Sequence, residues 1–238
     1  AVKHNNVMAC QWLAEYTPFD LFFHHDRWQL CLALDVAAKA GNLQICQWLT
    51  HRFSFTKREA KENKNMALRS AAENGHLHVC QWLTDYFCLD ASDARSWGGF
   101  VVGAPTRERM YHRTLTRTAI RGHLDVCKWL AQRFKLEPWD ARDYDNHALR
   151  WSARYGHLNV CQWLAQHFCF DAKDARSCNN SAHQPAKICG HMHVKDWVID
   201  YFQLTEHDIF QAENSAPPQC DDNGDRLPLN WHLIPTNT

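Results

Sequence analysis

Residues 148–170 carry two short apolar helical patterns separated by a turn signal. The stretch ALRWSARYG, residues 148–156, ends at Gly156, and glycine tolerates the left-handed conformation found at helix C-termini. After it, apolar residues stand three, four and eight positions apart, which places them on one broad helical face. They are Leu158, Val160, Cys161, Trp163, Leu164 and Phe168. The pattern predicts two helices joined by a tight turn at Gly156.

The same pattern recurs along most of the chain. The nine residues GHLNVCQWL at 156–164 have counterparts at 5–13, 41–49, 75–83, 122–130 and 190–198. Their tryptophans are spaced by 36, 34, 47, 34 and 34 residues and are Trp12, Trp48, Trp82, Trp129, Trp163 and Trp197. A period near 34 residues with one 13-residue insertion accounts for this series. A fixed period of this length indicates a repeat protein.

Each unit continues with a polar segment after its second predicted helix. The segment begins with Thr, Asp or Glu and usually carries an acidic residue three positions later. Examples are DASDAR (90–95), EPWDAR (137–142) and DAKDAR (171–176). This spacing resembles a capping box and predicts a short third helix.

Such units are expected to stack on one another. One unit of about 34 residues cannot bury its own apolar face, whereas stacked units share a continuous core. We therefore predict an all-α helical-repeat solenoid of about six repeats over residues 1–212. The first repeat lacks most of its first helix, so we expect further repeats before residue 1. An insertion at about 96–113 separates repeats 3 and 4, and a Pro-containing tail occupies 213–238.

The repeated stretches resemble ankyrin repeats. ALRSAAENGHLHVCQWL (67–83) and ALRWSARYGHLNVCQWL (148–164) are similar to the two-helix core of that family, with its A-A-x-x-G-H-L-x-V pattern. Asn-x-Ala-Leu-Arg replaces the family's Thr-Pro-Leu-His in two repeats, and the polar segment replaces its Gly-Ala-Asp turn. In this the chain resembles divergent ankyrin-like arrays of protists and giant viruses. The resemblance implies stacked helix pairs that bind a protein partner on their concave face.

The repeated cysteines raise the question of a metal or redox site. Neighbouring copies are expected about 10 Å apart, too far for a shared metal or a disulfide. We interpret these cysteines as small buried core residues. They are Cys10, Cys46, Cys80, Cys127 and Cys161. The tryptophan column is interpreted as packing, because large aromatic side chains dominate buried area.

The repeated histidines are also interpreted as structural. One histidine per repeat follows the glycine, and we expect helix-start or inter-repeat hydrogen bonds from His76, His123, His157 and His191. Cys189, His191 and His193 form a compact C-G-H-M-H cluster, but Gly190-His191 is one more copy of the repeated pair. We therefore predict no metal, no cofactor and no catalytic residue.

Composition narrows the function classes. Lys plus Arg and Asp plus Glu number 26 each, which argues against a general nucleic-acid or anionic-membrane binder. No run of 18 apolar residues predicts a membrane span. Eleven cysteines held as unpaired core residues favour a reducing, intracellular compartment, above all the cytoplasm.

Two variable regions are candidates for partner binding, because specificity in a repeat protein lies in what differs between repeats. The insertion contributes Trp97, Phe100, Arg107, Arg109 and Tyr111. It either covers a gap in the stack or projects as an aromatic and arginine contact surface. The second region, in repeat 5, contributes Trp139, Tyr144, Arg150, Trp151 and Tyr155. Some of these aromatics could instead fill spaces between repeats.

The leading functional hypothesis is a noncatalytic scaffold or adaptor that binds a protein partner. A structural subunit of a large assembly, such as a viral particle or organellar complex, is the alternative, and a Cys/His metal-dependent enzyme is a weaker one. The tail carries Leu227, Leu229, Trp231, Leu233 and Ile234. It is expected to cap the last repeat or to be held by a partner.

Overall fold

The computed structural model describes residues 27–62, 65–95, 114–180 and 182–214, which form five successive units of three helices. In chain order the helices are α1 (Arg27–Lys39), α2 (Leu43–Arg52), α3 (Lys57–Glu62), α4 (Met66–Glu73), α5 (Leu77–Tyr86), α6 (Ala91–Ala94), α7 (Thr114–Ile120), α8 (Leu124–Phe134), α9 (Pro138–Ala141), α10 (Asp143–Arg154), α11 (Leu158–His167), α12 (Ala172–Asn180), α13 (Gln184–Ile188), α14 (Met192–Phe202) and α15 (Glu206–Asn214). No strand occurs within these ranges.

The first helix of each unit ends at a glycine, as predicted. Gly75, which follows α4, has a φ of 77°, a left-handed value that L side chains adopt only with strain. The next residue, His76, donates its backbone N–H to the carbonyl of Ala71 at 2.9 Å, the long-range bond of a Schellman motif. The other first helices end at Gly41, Gly122, Gly156 and Gly190.

The second helices are amphipathic and line the core. In α5 the buried residues are Val79, Cys80, Leu83 and Thr84, which is the face that the spacing predicts. The corresponding cysteines Cys46, Cys127 and Cys161 are fully buried in their own helices. The core role predicted for these cysteines is therefore confirmed.

The third helices begin with the predicted capping boxes. The N–H of Asp90 donates to the carboxylate of Asp93 at 2.8 Å, and Asp93 is the third residue of α6. Equivalent bonds open α9 at Glu137 and α12 at Asp171. These short helices stand after the second helix of each unit, where the sequence departs from the ankyrin pattern.

The units stack into an all-α solenoid. First helices contact one another in the order α1, α4, α7, α10 and α13, and α2, α5, α8 and α11 follow the same order. Helix α8 contributes Leu130 to the core of the earlier repeats and Cys127 to the core of the later ones. The core therefore continues past the position of the insertion. Residues 1–26, with the predicted first repeat, the insertion at 96–113 and residues 215–238 of the predicted tail lie outside the described residues.

Histidine rings join each unit to the one before it. The ring of His123 lies against Gly75 so closely that an added Cβ would stand 2.5 Å from Nδ1. His76, His157 and His191 lie in the same way against Gly41, Gly122 and Gly156. The Nε2 of His76 also lies 3.0 Å from the carbonyl oxygen of Lys39, at the end of α1. These histidines make no side-chain cap bond, so of the two predicted roles the structure supports the contact between repeats.

We expect the free energy of unfolding to decline as the pH falls below about 6.5, the usual pKa of histidine. Burial lowers the pKa of His76 and of His157. The charges of His78 and His123 lower the pKa of His76 further, and those of His123 and His191 lower the pKa of His157 further. Since the unfolded chain then binds more protons, acidification favours unfolding. Urea unfolding at pH 7.5 and 5.5 measures the effect. A double variant, His76→Gln with His157→Gln, should show a weaker dependence on pH, and an equal dependence would contradict this explanation.

A ladder of ion pairs joins the third helices. Arg95 Nε and Nη2 donate to the carboxylate of Asp140 at 2.9 and 3.0 Å. Arg142 and Asp174 pair in the same way, as do Arg176 and Asp208. At the start of the ladder Lys61 contacts Asp93 at 2.8 Å. Each acid is also the acceptor of its own capping box, so one carboxylate both starts a helix and binds the preceding repeat.

Candidate functional site

The repeated cysteines are poor candidates for chemistry. Burial raises the pKa of Cys46, Cys80 and Cys161 to about 12, and the pKa of Cys127 is raised as well. The thiolate is the nucleophile and the metal ligand, so thiols with such pKa values are inert. This gives no support to the hypothesis of an enzyme built on the repeated cysteines.

Alkylation of the native protein should therefore be selective. We expect iodoacetamide at pH 8 to modify the exposed Cys88 and Cys169 and to leave Cys46, Cys80, Cys127 and Cys161 unmodified until the chain unfolds. Peptide mass spectrometry after timed labelling measures the rates. Unfolding in urea provides the control in which all sites react. Labelling of Cys161 as fast as Cys88 in the native state would contradict the structure.

The C-G-H-M-H cluster is divided between different roles. The ring of His191 lies against Gly156 of the preceding repeat, and His193 is exposed on α14. Among the described residues, no group of three or more His, Cys, Asp or Glu side chains is arranged to hold a metal ion.

The tryptophan column is only half-buried. Trp82, Trp163 and Trp197 stack on the residue four positions later, with ring centroids 5.0–5.1 Å apart, and those partners are Tyr86, His167 and Tyr201. Each also meets the next aromatic residue edge to face, at 6.4, 5.5 and 6.0 Å. The tryptophans thus stack within their own second helices and also pack against the core, as predicted, while part of each side chain stays at the surface.

The predicted partner-binding residues lie in different environments. Trp97, Phe100, Arg107, Arg109 and Tyr111 belong to the insertion and lie outside the described residues. Trp139 is 53% exposed on α9, with the guanidinium of Arg95 4.8 Å from its ring centroid. Tyr144 lies in the first turn of α10. Tyr155, at the end of the same helix, is exposed.

Two predicted contact residues are buried. Arg150 and Trp151 are only 8% and 4% exposed. Trp151 stacks on His147 with ring centroids 5.3 Å apart, and Arg154 lies 4.7 Å from its ring. These burials correct the expectation that Arg150 and Trp151 present a contact surface.

A surface that varies between repeats is the exposed side of the first helices. We call it the first-helix face and define it by Val36, Lys39, Asn74, Arg117, Arg121 and Tyr155. Neighbouring repeats place different residue types at equivalent positions of this face, whereas the glycine, histidine and ladder positions hardly change. Surfaces that vary on a constant scaffold are where binding specificity is expected.

An ion-pair network lies at the centre of this face. Arg117 donates to the carboxylate of Glu73 through Nε at 2.8 Å and Nη2 at 2.6 Å. Arg121, whose side chain is 61% exposed, reaches the same carboxylate at 3.3 Å. Although burial raises the pKa of Glu73, its hydrogen bonds with Arg117 and the two arginine charges outweigh burial and lower it. Glu73 therefore stays ionised and holds both arginines at the surface.

A second acid and a third arginine lie beside this network. Burial raises the pKa of Asp35, which accepts a hydrogen bond from Ser70 on the next first helix. Burial lowers the pKa of Arg69, and the charge of Arg117 lowers it further. The group thus contains three arginines and two acids, one of which is shifted towards its neutral form. The centre of the first-helix face carries excess positive charge.

Sequence reasoning missed this network. Glu73, Arg117 and Arg121 stand at positions that differ from repeat to repeat, and the 13-residue insertion separates the acid from the arginines in the sequence. The ladder left a clear signal, because Asp-Ala-Arg recurs at 93–95, 140–142 and 174–176. A cation and an acid repeated at one position predict pairing between neighbouring units.

Comparison with known families agrees with this architecture. Residues 34–84 and 115–165 match the family model of ankyrin repeats in many copies. The two matches cover helix pairs before and after the insertion, which falls between them. A search of curated proteins finds no match. No helix of the described residues is long and apolar enough to cross a membrane. Ankyrin repeats generally mediate protein–protein interaction and are typically noncatalytic. Residues 34–84 and 115–165 of this chain are therefore ankyrin repeats.

Proposed function

We propose that this chain is a noncatalytic scaffold or adaptor that holds a protein partner on its first-helix face. The observation that carries the proposal is the arginine group around Glu73, which varies between repeats while the surrounding scaffold is constant. Partner-binding surfaces are enriched in arginine and aromatic residues. Tyr155 supplies an exposed aromatic ring on a neighbouring part of the same face.

The charge of the face favours a partner that carries carboxylate groups. Arg121 is mostly exposed and holds Glu73 only loosely, at 3.3 Å, so its guanidinium can form a fork with another carboxylate. Arg117 and Arg69 add to the positive potential beside it. Complementary charge accelerates association and excludes unsuitable partners, which gives specificity to the interface.

Affinity capture with two matched variants tests the proposal. Arg121→Glu reverses the charge on the first-helix face, and we expect it to reduce recovery of the bound partner about tenfold. Arg133→Glu is the control, because Arg133 is also an exposed arginine, lies on α8 of the same repeat and pairs weakly with Asp85 at 3.7 Å. This control should bind normally. Equal recovery with both variants would contradict the proposed surface.

The same experiment addresses the alternative function. Stoichiometric recovery of many subunits of one particle, unchanged by Arg121→Glu, would support a structural component of a large assembly. Exposed aromatic residues away from the first-helix face, such as Trp139 and Tyr201, favour this second candidate.

A further inference from the structure

In the last described repeat, Gly190 lacks the histidine contact that the glycines of the other repeats have. Gly41, Gly75, Gly122 and Gly156 each carry the histidine ring of the following repeat, at distances that would not admit a Cβ. Gly190 has the same backbone conformation, with a φ of 79°, yet no atom of the described chain is recorded within 4 Å of the Cβ position. One histidine socket is thus formed but lacks a ring from any described repeat.

Apolar side chains surround this socket. Met192 is 46% exposed, whereas Leu77, Leu124 and Leu158, at the same position in earlier repeats, are half-buried. Ile188, at the end of α13, is 39% exposed. In two earlier repeats the histidine ring bonds the backbone carbonyl of the residue two positions before the glycine. His76 bonds the carbonyl of Lys39, and His157 bonds that of Ile120.

The sequence that follows contains a matching element. His-Leu occurs four times in the whole chain, at 76–77, 123–124, 157–158 and 232–233. The first three pairs each place the histidine against the glycine of the preceding repeat. The fourth lies in the segment 215–238, within the apolar run LNWHLIP at 229–235.

We propose that the segment 215–238 docks on the end of the last repeat, with His232 against Gly190. At this site the carbonyl of Ile188 is the acceptor available to an imidazole N–H, and the exposed side chains of Ile188 and Met192 are the apolar surface beside it. The chain between Asn214 and His232 can extend about 60 Å, which is ample to return to α13 in the same repeat. The segment does not have the sequence of a further repeat, because Trp231 stands where a repeat has glycine.

Hydrogen–deuterium exchange on the full chain tests this docking. We expect His232→Ala to accelerate amide exchange in residues 188–198 at least tenfold and to lower the Tm by about 2–4 °C. Residues 68–83 serve as an internal reference whose exchange should not change. His207→Ala, which alters an exposed histidine of the last described repeat, is the matched control and should leave 188–198 unchanged.

A double-mutant cycle locates the contact at the glycine. Gly190→Ala should accelerate exchange more in the wild-type chain than in the His232→Ala background, because only an occupied socket adds a clash to the backbone strain. Unchanged exchange in His232→Ala, or equal effects of Gly190→Ala in both backgrounds, would overturn the proposal. Protection that survives His232→Ala and rises with protein concentration would also overturn it, since it would assign the socket to a second copy.

Discussion

Gly75→Ala should lower the free energy of unfolding by about 2–5 kcal/mol. A left-handed backbone costs a non-glycine residue about 1–2 kcal/mol. The new Cβ would also stand 2.5 Å from the ring of His123, and displacing a packed side chain adds about 1–3 kcal/mol. Chemical denaturation of the purified variant measures the difference.

The His123→Ala background separates these two contributions. With the ring removed, Gly75→Ala should cost only the backbone strain of about 1–2 kcal/mol. A double-mutant cycle should therefore give a coupling energy of about 1–3 kcal/mol. Additive effects of the two substitutions would show that His123 does not join the third described repeat to the second.

Asp174→Ala should lower the free energy of unfolding by about 3 kcal/mol. The carboxylate accepts both bonds of the Arg142 fork at 2.8 Å, the N–H of Asp171 at 2.9 Å and the amide of Asn146 at 3.2 Å. Its removal leaves the half-buried Arg142 without its carboxylate and the N–H of Asp171 without its acceptor in the capping box. Denaturant unfolding followed by circular dichroism measures the loss.

Asp85→Ala is the matched control for the ladder. Asp85 pairs with Arg133 at 3.7 Å, and both side chains are exposed, so the substitution should change the free energy of unfolding by less than about 1 kcal/mol. Similar losses for Asp174→Ala and Asp85→Ala would show that the ladder contributes no more than ordinary surface pairs.

The ladder also has a defined pH dependence. Burial raises the pKa of Asp174, but the hydrogen bonds from Arg142 and the backbone outweigh it and lower the pKa below its usual value. Arg176 lowers the pKa of Asp208. The stabilisation is present above about pH 4, the ordinary pKa of aspartate, and is lost as the pH falls through the lowered values.

The repeated part of this protein could be predicted from the sequence because repetition exposes its physical constraints. A glycine, a cysteine and an apolar face recur about every 34 residues, which is the pattern that a stack of similar helix pairs requires. The third helices followed from Thr, Asp or Glu placed three residues before an acid. The role of His123 was only partly predictable, because its contact with Gly75 joins residues of different repeats.

The candidate site was harder to predict because its residues also come from different repeats. Glu73, Arg117 and Arg121 form one group only because α4 and α7 stack across the insertion. Arginine and tryptophan are residue types that often contact partners, but the side chains of Arg150 and Trp151 are buried. Residue type alone does not distinguish an arginine that faces solvent from one that lies between repeats.

Site-specific photo-cross-linking tests most directly whether the partner occupies the first-helix face. Benzoylphenylalanine at Asn74, on that face, should cross-link the captured partner, and the same probe at Gln132, an exposed position of α8, should not. A partner that cross-links from Gln132 as strongly as from Asn74, or only from Gln132, would contradict the assignment of the binding surface.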